Sequence, residues 1–130
     1  MGVLYHGSTL GNIEVLEPKQ TSLSEQPVVF AGSLWVALCY TGLWTDEEIN
    51  QGTVNGVPHL EEMVPHAFHK VFNKGGYVYT LDDSSFVRID STAEFEWVSY
   101  QPVKVKKVRF VKNPIAELQK EGVVLKRHKG

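Results

Sequence analysis

Apolar residues occur along this chain in short runs, each ended by glycine, proline or a polar turn. β-Branched and aromatic residues dominate the runs, and the run lengths are those of strands. The predicted strands cover residues 3–6, 27–31, 77–81, 86–90, 95–100 and 103–111. In the last of them apolar residues alternate with lysines, which predicts that one face of this strand contacts water.

Helices are predicted where apolar residues follow a longer period or where capping residues occur. The predicted helices cover residues 12–18, 34–42, 59–73 and 115–121. Ser33 is the candidate N-cap of the second, Pro65 must kink or split the third, and Pro114 suits the start of the fourth. The predicted loops are 19–26 and 45–58.

This order of elements predicts an α+β fold with a largely antiparallel sheet. A chain of 130 residues is long enough for one domain with its own hydrophobic core. We assign that single domain to residues 1–125. The remaining residues, 126–130, are predicted to form a basic tail that frays.

Composition narrows the classes of function. The formal net charge is −2, so no overall basic field favours nucleic acid as a partner. Cys39 is the single cysteine, which excludes an intrachain disulfide and suits a reducing compartment. No apolar stretch approaches the roughly 20 residues of a membrane helix, and the first residues lack the features of a secretory signal. A cytoplasmic protein without a membrane segment is therefore expected.

Three separate segments carry side chains suited to binding a sugar and a flat ring. His6 ends the first predicted strand and Gly7 follows it, so the ring can donate to a ligand hydroxyl while the backbone approaches closely. Tyr40, on the inner face of the helix at 34–42, can stack on a heteroaromatic ring. Glu96 can hold a ribose hydroxyl and stabilise an oxocarbenium ion. Each also has an ordinary interpretation, as a turn, a core aromatic or a solvated strand face.

Taken in order, these segments resemble the signature of a known family. His6-Gly7-Ser8, then Val28-Val29-Phe30-Ala31 followed by Tyr40, and then Glu96-Trp97-Val98 are similar to the three motifs of ADP-ribosyltransferases. The similarity is to the branch of diphtheria toxin and the poly(ADP-ribose) polymerases, whose pattern is His, Tyr, Glu. It extends from residue 4 to about residue 110 and rests on few positions.

The resemblance implies split antiparallel β-sheets with short flanking helices around an NAD cleft, in which NAD is a substrate. It implies that His6 orients the adenosine ribose and that Tyr40 stacks on nicotinamide. Glu96 is implied to bind the nicotinamide ribose and to support the departure of nicotinamide. The other residues implied to form the NAD site are Gly7, Ser8, Phe30 and Ala31.

Val29 is a departure from the family pattern, because the family has a tyrosine there that helps to enclose nicotinamide. Stacking is therefore expected from Tyr40 alone, or with help from Trp35 or Phe30. The chain is also short, which leaves little room for an elaborate acceptor site.

Glu94 and Glu96 together are similar to the Glu-x-Glu pair of arginine-specific transferases. The match is partial, because those enzymes have arginine in place of His6. Glu94 is accordingly a candidate for guiding the acceptor.

The leading hypothesis is an NAD-dependent mono-ADP-ribosyltransferase that acts on a protein or a nucleic acid. An alternative is a degenerate module that binds a nucleotide or a partner without turnover. Val29 favours that alternative, whereas His6, Tyr40 and Glu96 oppose it. A third hypothesis is an RNA 2′-phosphotransferase, which shares the fold, but the arginine contacts of that family are not evident in the sequence.

Other clusters have simpler interpretations. Three histidines and two glutamates lie close together in sequence, but without a His-Glu-x-x-His motif or a cysteine they predict surface residues and no metal site. These residues are His59, Glu61, Glu62, His66 and His69. The cations of 103–112 and of the tail predict a solvated strand face, with a docking strip for an acidic acceptor as the alternative. The tryptophans interpreted as core or cleft packing are Trp35, Trp44 and Trp97.

Overall fold

The computed structural model describes residues 2–21, 24–89 and 95–129. Its strands are β1 (Val3–Ser8), β2 (Val15–Leu16), β3 (Lys19–Thr21), β4 (Ser24–Gly32), β5 (Ile49–Val54), β6 (Val57–Glu62), β7 (Gly76–Asp82), β8 (Phe86–Val87), β9 (Glu96–Ser99), β10 (Val103–Val111) and β11 (Val124–Lys126). Its helices are α1 (Leu34–Cys39), α2 (Ala67–Phe72) and α3 (Pro114–Lys120). The fold is thus a mostly β domain with a few short helices, which is consistent with the predicted α+β class.

Most of the strands form one antiparallel sheet, and this sheet is weakly joined at its middle. The strand order is β2-β10-β7-β1-β4-β9-β8, with β3 paired to β4. β1 pairs with β7 along its whole length. With β4 it pairs at Tyr5 and Gly32 alone, as far as the described residues extend. The two halves of the sheet therefore diverge beyond this pair.

Two apolar clusters cover the two faces of the large sheet. The first joins α1, α2 and α3 to β5, β6 and one face of β7. The second lies on the opposite face, between β1, β4, β7 and β10. In β7, Val78 belongs to the first cluster and Tyr79 to the second, because successive side chains of a strand point to opposite faces. The helices are therefore held against one face, where α1 packs on β1.

The three-stranded sheet β11-β6-β5 corrects the prediction for residues 45–73. β5 and β6 form a hairpin where a loop and the start of a helix were predicted. Its turn is Asn55-Gly56 with positive φ values of 52° and 79°, the residue pair that two-residue hairpins favour. Helix α2 begins only after Pro65 and the left-handed His66, so these two residues exclude the longer helix.

Two other sequence predictions are wrong for a similar reason, which is strand pairing with a distant partner. The expected helix at 12–18 is replaced by β2, which pairs with β10. The expected loop at 19–26 contains β3 and the start of β4. β2 has only two residues, and polar residues occupy β3 and the start of β4, so their hydrophobicity pattern did not reveal these strands.

The segment predicted as a basic tail, residues 126–130, begins at the last residue of a strand. Lys126 ends β11, which pairs in parallel with β6. The backbone amide of His128 donates to Oε1 of Glu62 at 2.9 Å. The C-terminal segment is therefore part of the packed domain.

The strong local signals are confirmed. Strands occur at 27–31, 77–81 and 103–111, as predicted. α3 begins at Pro114, and Oδ1 of Asn113 caps it by accepting from the amide of Ala116 at 3.1 Å. In the described ranges, the helices are too short to cross a membrane.

Candidate functional site

A cleft opens where β1 and β4 diverge. Beyond the pair of Tyr5 and Gly32, the ring of His6 reaches β4, and its Nδ1 lies 2.7 Å from the carbonyl oxygen of Phe30. The cleft has a volume of about 400 Å³, within the range of roughly 300–1,000 Å³ of small-molecule sites. Its lining residues are His6, Gly7, Ser8, Thr9, Phe30, Tyr40, Gly42, Leu43, Trp44 and Glu96.

His6 has one ring nitrogen engaged by the protein. Because a carbonyl oxygen only accepts, Nδ1 carries the hydrogen in the bond to Phe30. Burial lowers the pKa of His6 by more than this hydrogen bond raises it, so the neutral ring is favoured. In that tautomer Nε2 is an acceptor. A ligand hydroxyl would therefore donate to His6, which reverses the direction expected from the sequence.

Gly7 is required by packing as well as by the cleft. A Cβ at this position would overlap the carbonyl oxygen of Ala37 and approach the backbone of Tyr40 to 3.0 Å. Any side chain would thus push α1 away from β1. The hydroxyl of Ser8 accepts from the amide of Leu10 at 3.0 Å, and its own hydrogen remains able to donate.

Tyr40 follows the last residue of α1, and 40% of its surface is exposed. Its ring stacks on that of Trp44, with centroids 5.7 Å apart and planes 6° from parallel. Trp44 is held by a hydrogen bond from its Nε1 to the carbonyl oxygen of Cys39 at 2.7 Å. One face of Tyr40 is therefore covered, and a ligand ring has the other. No motif in the sequence singles out Trp44 as a cleft residue.

Glu96 is the first residue of β9 and lies opposite Gly32. Burial raises the pKa of Glu96, and the positive charge of Arg88 lowers it by less. Among the described residues, no hydrogen-bond donor holds the carboxylate. Burial raises the pKa of Tyr40, and the Glu96 carboxylate, which lines the same cleft, raises it further. The cleft thus combines an aromatic face with a carboxylate whose acceptor sites are not used by the residues that the structure describes.

The remaining sequence candidates do not all reach this cleft. Val29 is 3% exposed and packs in the second apolar cluster, where Ala31 is also buried. Trp35 lines a separate recess of about 110 Å³, which Glu96 borders from the other side. Glu94 lies outside the described residues. Phe30 and Trp44, rather than Val29 or Trp35, therefore supply the additional aromatic walls of the main cleft.

The other two clusters noted in the sequence have defined surroundings. Within the described part of the chain, no three His, Cys, Asp or Glu side chains are arranged to hold a metal ion. Of the cations on β10, Arg109 makes two hydrogen bonds to Glu117 of α3, at 2.7 and 3.1 Å. The guanidinium of Arg109 is therefore engaged in holding α3 against the sheet.

Comparisons of the chain with family models, with curated proteins and with solved structures found no match. The function is therefore inferred from the chemical groups of the cleft. These groups are an acceptor nitrogen on His6, a donor hydroxyl on Ser8, an aromatic face on Tyr40 and a carboxylate on Glu96.

Proposed function

We propose that the chain is an NAD-dependent mono-ADP-ribosyltransferase with the split-sheet fold of that superfamily. The observation that carries this proposal is that segments distant in sequence, around His6, Tyr40 and Glu96, line one cleft. A chance similarity of three short motifs gives no reason for them to meet. Their meeting at the split of the sheet is what a shared ligand requires.

Each group suits one part of NAD. The free face of Tyr40 stacks on the nicotinamide ring. Nε2 of His6 accepts a hydrogen bond from a hydroxyl of the adenosine ribose. The carboxylate of Glu96 accepts one from the 2′-hydroxyl of the nicotinamide ribose. Together these contacts hold the glycosidic bond next to the carboxylate, which lowers the entropic part of the barrier.

The reaction breaks the bond between C1′ of the ribose and the ring nitrogen of nicotinamide. The electron pair of that bond leaves with nicotinamide, which becomes neutral. Positive charge develops on the ribose as an oxocarbenium ion, and the Glu96 carboxylate stabilises it electrostatically. A nucleophilic atom of a protein or nucleic-acid acceptor then bonds to C1′ and loses its proton. Water in place of the acceptor gives hydrolysis.

The test is to measure NAD binding and nicotinamide release by the purified protein. Wild type is expected to do both. Glu96→Gln should keep NAD binding but slow the release by about 10²–10³-fold, the usual cost of removing one electrostatic contact to a transition state. Glu17→Gln, at an exposed carboxylate outside the cleft, is the matched control and should behave as wild type. Release that survives in Glu96→Gln, or wild type that does not bind NAD, would sink the proposal.

A second candidate function is a module that binds a nucleotide without turnover. Two observations favour it: Val29 is buried away from the cleft, and Trp44 covers one face of Tyr40. A ligand ring then stacks on one side only. Binding of NAD without release, in the presence of protein and nucleic-acid acceptors, is the outcome that identifies this function.

A further inference from the structure

A second cleft adjoins the first and contains none of the groups assigned above. Its volume is about 460 Å³. It shares Thr9, Gly42 and Leu43 with the first cleft. Its other walls come from the end of α2, the start of β7 and Phe110 of β10. The two clefts therefore adjoin at these residues, and together we call them the groove.

The second cleft differs from the first in charge. Lys70 and Lys74 line it, and both are exposed. No aspartate or glutamate is among its described lining residues. Glu96, by contrast, is the charged group of the first cleft. A ligand that fits the whole groove therefore carries negative charge at one end and develops positive charge at the other.

An exposed aromatic side chain stands beside these lysines. Phe110 is 52% exposed, and its ring lies 5.2 Å from that of Tyr77, at an angle of 57°. Both rings line the second cleft. A solvent-facing aromatic ring next to two cations suits a flat base that is joined to phosphate, because the ring stacks on the base while the lysines bind phosphate oxygens.

We infer that the second cleft binds the pyrophosphate and the base of a dinucleotide's ADP half, with Lys70 and Lys74 on the pyrophosphate and Phe110 against the base, while the ribose between them lies at the edge that the two clefts share, facing His6. The inference rests on the proposed function for the identity of the other half. Lys70, Lys74 and Phe110 belong to none of the segments that carry the family resemblance. A dinucleotide consists of two nucleotides joined by a pyrophosphate, and the groove offers two connected compartments of similar size.

The probes are ADP, which lacks nicotinamide, and nicotinamide, which lacks phosphate. Their affinities are measured for wild type, for the double variant Lys70→Gln/Lys74→Gln, and for Lys104→Gln/Lys106→Gln. The last pair removes the same charge from the first half of β10, roughly 13–20 Å from Phe110 at the rise of a strand. The first double variant should bind ADP about 10–100-fold more weakly, the worth of one or two charge-assisted hydrogen bonds. Nicotinamide binding should not change, and the control pair should bind both probes as wild type does.

Phe110→Ala separates the base from the phosphate. It should weaken ADP binding several-fold and leave binding of inorganic pyrophosphate unchanged. Failure of ADP to bind, or equal ADP affinity in wild type and Lys70→Gln/Lys74→Gln, would overturn the inference whether or not NAD is cleaved. Lysine-dependent ADP binding by a protein that neither binds nicotinamide nor cleaves NAD supports the phosphate site and contradicts the proposed function.

Discussion

Two glutamates withdrawn from solvent, Glu62 and Glu96, lie in contrasting regions of the molecule. Glu62 is 4% exposed, and its two oxygens accept from the amides of Phe68 and His128, both at 2.9 Å. Burial raises the pKa of Glu62, but these bonds, with the charges of Arg127 and His66, outweigh burial and lower it. This carboxylate ties α2 and the C-terminal segment to β6.

Glu96 lacks such partners in the described part of the chain. Burial raises its pKa, and the charge of Arg88 opposes this without reversing it. The difference shows how a carboxylate that stabilises the fold is distinguished from one available to a ligand. The oxygens of Glu62 already accept hydrogen bonds from backbone amides. Glu96 is desolvated, and within residues 2–21, 24–89 and 95–129 its acceptor sites are open, at a cost in stability that a bound hydroxyl or cation would offset.

The largest expected effect separates the two residues by activity. Glu96→Gln should lower nicotinamide release by about 10²–10³-fold while its free energy of unfolding stays unchanged or increases. The raised pKa of Glu96 means that its ionised carboxylate destabilises the fold at neutral pH. Glutamine is not ionised, so an increase in the free energy of unfolding is the expected direction of any change. Nicotinamide release and urea denaturation at pH 7 measure both quantities. A Glu96→Gln protein that is clearly less stable than wild type would assign Glu96 to the fold.

The next effect is on stability. Glu62→Ala leaves the amides of Phe68 and His128 without an acceptor, so the free energy of unfolding should fall by about 2–4 kcal/mol. Glu61→Ala, at the exposed neighbour on β6, should change it by less than about 0.5 kcal/mol. Chemical denaturation of the two variants checks this. Equal stability of both would show that the bonds to Glu62 contribute little.

The pH dependences of the two glutamates should have the same sign, a loss on acidification, but at different pH values. The lowered pKa of Glu62 gives stability that is complete above its unfolded pKa and is lost as the pH falls through its folded pKa. Nicotinamide release needs ionised Glu96, so it should fall as the pH drops through the raised pKa of this residue. On acidification, nicotinamide release is therefore lost at a higher pH than folding stability. A pH profile of release beside acid denaturation tests this order, and coincident transitions would contradict it.

The sequence predicts local features of this molecule better than the pairing of distant strands. Proline and asparagine at the start of α3 act within a few residues, so their effect was predictable. The family resemblance implied split sheets, but the place of the split was not predictable, because it depends on the single pair of Tyr5 with Gly32, whose strands are separated in the sequence. Residues 57–62 form the central strand of the small sheet, and their register is set by β5 and β11, which are separate segments of the sequence.

The same limit applies to the site. His6, Tyr40 and Glu96 could be predicted as site residues from the three motif segments, because the order of motifs can be read directly from the sequence. The direction of the hydrogen bond between a ligand and His6 depends on the bond from Nδ1 to the carbonyl oxygen of Phe30. Every residue has a backbone carbonyl, so the sequence does not show which one His6 contacts. Trp44 was interpreted as core or cleft packing, but its stacking on Tyr40 and the second cleft were not predicted, since the fold brings their residues together.

The smallest expected effect tests whether Glu96 is as open as the comparison requires. If the hydroxyl of Tyr40 does not hold the carboxylate, Tyr40→Phe should change NAD affinity by less than about twofold and leave the pH midpoint of release unchanged. Tyr40→Ala removes the stacking face and should weaken NAD binding by about two- to tenfold. The fluorescence of Trp44, which stacks on Tyr40, provides the titration signal in Tyr40→Phe, and calorimetry serves for both. A shift of the pH midpoint in Tyr40→Phe would mean that the Tyr40 hydroxyl donates a hydrogen bond to Glu96, as the backbone amides do to Glu62. The distinction between the two carboxylates would then fail.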